Sequence, residues 1–161
     1  MKMTYLAFYV ADQGKALDRI ISMIDGSPYS HCELVINRLG DRRYDCISSS
    51  HRDGGLRRKT IDMEPSHWVL VPVMCDINYA IRWFKKRQNF KYDYLALIRT
   101  VIPGFYNPER RLFCSEACAD MLELVDPASY GLRKLYRWAL DNPAVQNKRV
   151  LNRVSNGRFK Q

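Results

Sequence analysis

Two residues in this chain have the type and setting for covalent chemistry: Cys114, in Leu112-Phe113-Cys114-Ser115-Glu116-Ala117-Cys118, and His31, in Ser30-His31-Cys32-Glu33-Leu34. A free thiol titrates near 8.5, so it is mostly uncharged at neutral pH; a helix N-terminus and a nearby imidazolium both favour the nucleophilic anion. Cys114 stands where an apolar approach runs into a helical pattern, and His31 would serve it as general base and later as acid toward the leaving group. The amides of Cys114 and Ser115 at that helix start lack intrahelical acceptors and can bind an oxyanion. The second ring nitrogen of His31 needs an orienting acceptor. Asp45, on the following strand, is the first candidate, and Glu33 the second, two residues along on the side of His31 and about 6.6 Å away by strand rise.

The same residues admit plainer roles. Cys114 begins an apolar stripe at positions 114, 117, 118, 121, 122 and 125, where a cysteine also serves as a small core side chain, and Cys118, one turn deeper, reads as core. His51 and His67 flank turns, although His51 beside Gly54-Gly55 can line a cleft. Adjacent strand residues point to opposite faces and the chain has no CxxC or HxxxH spacing, so neither a metal nor another cofactor is expected.

The elements that must position these groups follow from hydrophobic period. Thr4 to Val10 reads as a buried strand, and Asp12 offers a cap to a helix carrying Leu17, Ile20, Ile21 and Ile24 on one face. His31 to Ile36 is a second strand with His31, Glu33 and Val35 on one side and Cys32, Leu34 and Ile36 on the other. Leu39-Gly40-Asp41 turns the chain into a third strand, Arg43 to Ser49, and Leu56 to Ile61 and Trp68 to Val73 are a fourth and fifth, Pro72 marking the last as an edge strand or its end. Asp76 caps a helix with Tyr79, Ala80, Trp83 and Phe84 on one face, ending in Lys85-Lys86-Arg87, where cations suit the helix dipole. Tyr92 to Val101 is predicted as a helix stopped by Pro103-Gly104, and a loop through Asn107-Pro108 leads to Cys114. A last helix carries Leu132, Leu135, Tyr136, Ala139 and Leu140. The predicted class is α+β: an antiparallel sheet of about five strands with helices packed on it, forming one domain over 1–142 and a basic tail over 143–161.

Composition narrows the setting. At 161 residues and 47% hydrophobic content the chain can build its own core, and five cysteines without close pairs argue for a reducing compartment over a disulfide framework. No signal peptide and no membrane-spanning run of about 20 apolar residues is read, so a cytoplasmic address is expected. The net charge of +9 is concentrated after Asp141, in Lys148, Arg149, Arg153, Arg158 and Lys160, and gives the tail a means of meeting an anionic surface. No nucleic-acid motif accompanies it, and the aromatics fall at helical core positions instead of forming a stacking ladder.

The order of His31, an acidic residue on the next strand, Gly54-Gly55-Leu56-Arg57, and Phe113-Cys114-Ser115-Glu116 resembles the circularly permuted papain-like hydrolases related to NlpC cell-wall peptidases. The stretch Ser48 to Gly55 looks like versions carried by bacteriophages, which would make the address a host cytoplasm. The resemblance covers roughly residues 4 to 126 and implies a histidine strand preceding the cysteine helix, with Cys114 as nucleophile, His31 as base and Asp45 as the polar third member, Glu33 or Ser48 standing as alternatives. It implies a thiol-dependent amidase or peptidase acting on a peptide or acyl-amide, such as a cell-wall peptide. The same family includes lipid and thioester acyltransferases, a reading in which the Trp83/Phe84 helix or the basic tail meets a membrane; a basic binding protein that keeps the fold without catalysis is a third reading.

Overall fold

Alternating burial along Lys2–Val10 makes β1 the strand around which the sheet is built, with Leu6 and Phe8 buried on one face and Ala7 on the other. The computed structural model describes residues 1–93 and 111–141. Within them β2 (Tyr29–Arg38), β3 (Arg43–Ser50), β4 (Gly55–Asp62), β5 (Trp68–Cys75), β6 (Lys91–Tyr92) and β7 (Arg111–Leu112) complete a seven-stranded sheet in the order β5-β1-β2-β3-β4-β6-β7. The first six strands in that order are joined antiparallel and only the β6–β7 pair is parallel. The five long strands match those read from the sequence; β6 and β7 are additions, each two residues long. Pro72 sits on β5, the outer strand, where its missing N–H costs no ladder bond.

Helices α1 (Ala16–Asp25), α2 (Ile77–Arg87), α3 (Cys114–Met121) and α4 (Leu132–Asp141) contribute Ile21, Ala80, Trp83, Ala117, Cys118, Leu132, Leu135 and Ala139 to one core with Leu6, Phe8, Cys32, Leu34, Ile47 and Val73. A smaller cluster on the other side of the sheet joins Ala7, Val35, Tyr44, Cys46 and Met63. His31 and Glu33 therefore lie on the side of Val35, with Cys32 and Leu34 facing the helices, as strand alternation requires.

Several local expectations need correction. The α1 cap is not Asp12, which lies in a short 3-10 turn; Asp18 accepts from the Lys15 amide at 2.8 Å instead. Of the α1 apolar residues only Ile21 is buried, and Leu17, Ile20 and Ile24 form an exposed stripe. Tyr92 belongs to β6 and Asp93 follows it outside any helix; residues 94–101 of that predicted helix, the Asn107-Pro108 loop and the 143–161 tail lie outside the described residues. Val125 falls beyond α3 and is 89% exposed. Asp76 does cap α2, accepting from Asn78 and Tyr79 at 3.0 and 3.1 Å.

The Gly54-Gly55 pair fixes where β6 attaches. Gly54 has φ +79°, open to glycine at little cost, and a Cβ on Gly55 would stand 2.3 Å from the Phe90 carbonyl oxygen. The close approach lets Leu56 N donate to Phe90 O at 2.9 Å and Tyr92 N to Gly54 O at 3.0 Å, carrying the sheet toward β7 and the start of α3.

Candidate active site

Cys114 is the first residue of α3, and Phe113 before it is extended (φ −83°, ψ 158°), so the thiol lies where the helix presents its unbonded amides. The His31 ring and the thiol and main chain of Cys32 act on its sulfur and favour the anion, while the Cys32 thiol donates to Cys118 Sγ at 3.7 Å. The far side of the ring is held by Glu33, whose Oε1 lies 2.7 Å from His31 Nε2, leaving Nδ1 for the sulfur. Glu33 is wholly buried, and Arg57 from β4 grips both its carboxylate oxygens, Nη1 donating to Oε2 at 2.7 Å and Nη2 to Oε1. Continuing the Leu34–Ile47 register puts Ser48 opposite Glu33, and Ser48 pairs with Arg57, so the three residues form one row across β2, β3 and β4. Glu33 and Arg57 are about 10 Å apart at the backbone, and the short Ser48 side chain between them leaves room for them to meet above it.

The structure thus brings together Cys114, His31 and Glu33 and leaves Asp45 elsewhere. Asp45 faces Asn37 on β2, about 20 Å along the strand from His31 by strand rise, and its carboxylate is taken by Arg58 at 2.6 Å. Ser48 is no substitute: its hydroxyl donates to the Cys32 carbonyl at 2.6 Å. The Ser115 hydroxyl donates to Tyr130 O at 2.6 Å, so of Ser115 only the amide is placed for an oxyanion. Cys32 and Arg57 are members of the site that sequence reasoning did not place there. His51 lines a cavity of about 310 Å³ beside His31 and Glu33, whose other walls include Tyr9, Asp18, Arg52 and Trp68. His67 packs edge-on against Tyr9, ring centroids 6.2 Å apart.

Electrostatics separate Cys114 from the other thiols. Burial pushes the Cys32, Cys46 and Cys75 thiols up. Burial opposes ionisation of Cys114 too, but the hydrogen bonds from Cys32 and His31 and the imidazolium charge draw it down to about 5. For His31, burial favours the neutral ring, and the Glu33 charge with the bonds to Cys114 and Glu33 outweighs it, holding the ring up to about 10. Glu33 is kept below its usual range against burial by the Arg57 bonds and the His31 charge. All five cysteines are free and buried, Cys114 with no exposed surface. No cluster of three or more metal-ligand side chains occurs among the described residues, and no helix among them is long and apolar enough to cross a membrane.

An ion pair of this kind has a characteristic pH signature. Folded His31 titrates at about 10 against 6.5 unfolded, so its contribution is complete below 6.5 and lost as pH rises toward 10. Folded Cys114 titrates at about 5 against 9.0, so its contribution is complete above 9.0 and lost as pH falls toward 5. Between 6.5 and 9.0 each state of the pair carries one proton and the two slopes cancel. The stability difference between wild type and the double variant His31→Ala/Cys114→Ala, from denaturant melts, is therefore expected to be level across that interval and to fall on both sides. A difference that rises or falls steadily through neutrality would mean that the folded pair does not hold a single shared proton there.

No protein-family model matches the chain, and no curated protein matches it.

Proposed function

We propose that the protein is a cysteine hydrolase that opens amide bonds of a peptide or acyl-amide, in the manner of the permuted papain-like enzymes it resembles. The observation that carries this reading is the Cys114 sulfur at a helix start, electrostatically coupled to a His31 ring whose Nε2 lies 2.7 Å from Oε1 of buried Glu33. The thiolate adds to the amide carbonyl, and the amides of Cys114 and Ser115 receive the charge that develops on its oxygen. The imidazolium gives its proton to the departing amine as the C–N bond breaks, leaving a thioester on Cys114. His31, now neutral, takes a proton from water, which attacks the thioester; the carboxylic acid leaves and the thiolate–imidazolium pair is restored. Glu33 holds the ring for both transfers, the place given first to Asp45 on sequence grounds.

Incubation with activated acyl donors and peptide mass spectrometry should find the acyl group on Cys114 and not on Cys118, and Cys114→Ser should abolish it. Equal acylation of both thiols would end the proposal.

The exposed Leu17, Ile20 and Ile24 stripe favours a second reading, in which the donor is a lipid or thioester: α1 also supplies Asp18 to the cavity wall. Trp83, on the helix that this reading offers beside the basic tail as a membrane contact, is buried with its Nε1 donating to Asp120 at 2.8 Å. Salt-sensitive flotation with anionic vesicles would single out this reading.

A further inference from the structure

Arg57 joins the buried centre to the surface. Besides gripping Glu33, it donates from Nε to Asp53 Oδ2 at 2.9 Å, and Lys59 Nζ holds the other Asp53 oxygen at 3.1 Å. Glu33 Oε1 is shared between Arg57 Nη2 and His31 Nε2, so the guanidinium competes with the imidazole for the same oxygen while fixing the carboxylate in the plane both need. We propose that Arg57 is a positioning residue that sets how strongly Glu33 holds His31 and, through that ring, the pH at which Cys114 becomes nucleophilic. The proposal rests on the hydrolase reading above.

The argument is one of charge in a dry place. A fully buried carboxylate without a counterion takes up a proton, and a protonated Glu33 neither orients nor charges the ring. The groups facing this centre are Cys32 from β2, Cys46 from β3, Arg57 and Asp53 from β4 and its approach, Cys114 from α3, Asp25 from the end of α1, and His51 from the loop before β4, whose ring burial keeps toward the neutral form. Among the described residues Arg57 is the permanently charged cation that touches Glu33. Its removal withdraws positive charge from the array, and a ring that a protonated Glu33 no longer charges gives up its proton more readily, so the thiol loses its imidazolium and must titrate at higher pH. A lysine keeps the charge and loses the two-pronged geometry.

The test is the pH dependence of Cys114 alkylation by iodoacetamide, read peptide by peptide in the full chain. Arg57→Met should move the midpoint up by about one pH unit, labelling on the acid side slowing about tenfold. Arg57→Lys should move it less. Asp53→Asn removes the outer anion that draws on the same guanidinium, and should move the midpoint down; this variant alters a half-exposed residue and carries the test if Arg57→Met fails to fold. Midpoints unchanged from wild type in Asp53→Asn and in every folded Arg57 variant would overturn the positioning role, with the hydrolase reading intact so long as wild-type Cys114 labels ahead of Cys118. Wild-type Cys114 that labels no faster than Cys118 at any pH would remove the hydrolase reading itself, and the positioning role with it.

Discussion

Cys114→Ser is expected to lower turnover of an amide substrate by about 10⁴-fold or more while leaving the fold in place. Serine is close to isosteric with cysteine, so the packing at the start of α3 survives. Its hydroxyl, however, titrates far above any thiol, and an imidazolium next door cannot hold it as the anion. His31→Ala should be as damaging for a different reason: the thiol loses both the charge and the hydrogen bond that draw it down, and the departing amine loses its proton donor. Because the two side chains act as a unit, the double variant should be little worse than either alone. Turnover measured beside a thermal melt decides the matter; less than a tenfold loss in a folded Cys114→Ser protein would place the chemistry elsewhere.

The second large effect separates the two carboxylates first weighed for the third role. Glu33→Gln should cost about 10³-fold in turnover, since an amide in that place neither stabilises the imidazolium nor selects the ring tautomer. It should also destabilise the fold by about 3 kcal/mol, because the half-buried Arg57 keeps only Asp53 as a counter-charge. Folded Glu33 titrates below its unfolded value of 4.5, so its stabilisation is present above that pH and lost as pH falls through the lower folded value. The gap between wild type and Glu33→Gln should accordingly shrink in acid. Asp45→Asn breaks a pair with Arg58 at the surface, and should cost less than about 1 kcal/mol and leave turnover unchanged. The opposite ranking of the two variants would restore Asp45 to the site.

Why Glu33 and Asp45 exchanged places shows what a single sequence reveals here. Period-two burial and the break at Phe113 made the strand of His31 and the helix of Cys114 legible, because both signals are local. Register is not local, yet part of it could have been counted. The hairpin turns at Leu39-Gly40-Asp41, so partners in β2 and β3 have numbers summing to about 81 or 82, which puts Asp45 opposite Asn37 and far from His31. The Arg57 contact needed two such counts across three strands, and the role of Cys32 needed the main-chain N–H of a residue whose side chain was already assigned to the core. The misjudged face of α1 has another cause: an apolar stripe predicts burial only where the fold supplies a partner surface, and for Leu17, Ile20 and Ile24 it supplies none among the described residues.

From the interior outward the charges along this centre alternate in sign: thiolate, imidazolium, carboxylate, guanidinium, carboxylate, and finally the ammonium of Lys59. Such a row behaves like a short filament of salt lattice. Its terminal member can be deleted cheaply, since water takes over the screening, whereas excising a middle member leaves two like charges facing one another where no solvent reaches. Mutational tolerance should therefore be graded along the filament, lax at the rim formed by Lys59 and Asp53 and strict at Glu33, so that the fold polices its own chemistry: a chain that has lost the central anion is penalised as a structure before it is ever tried as a catalyst.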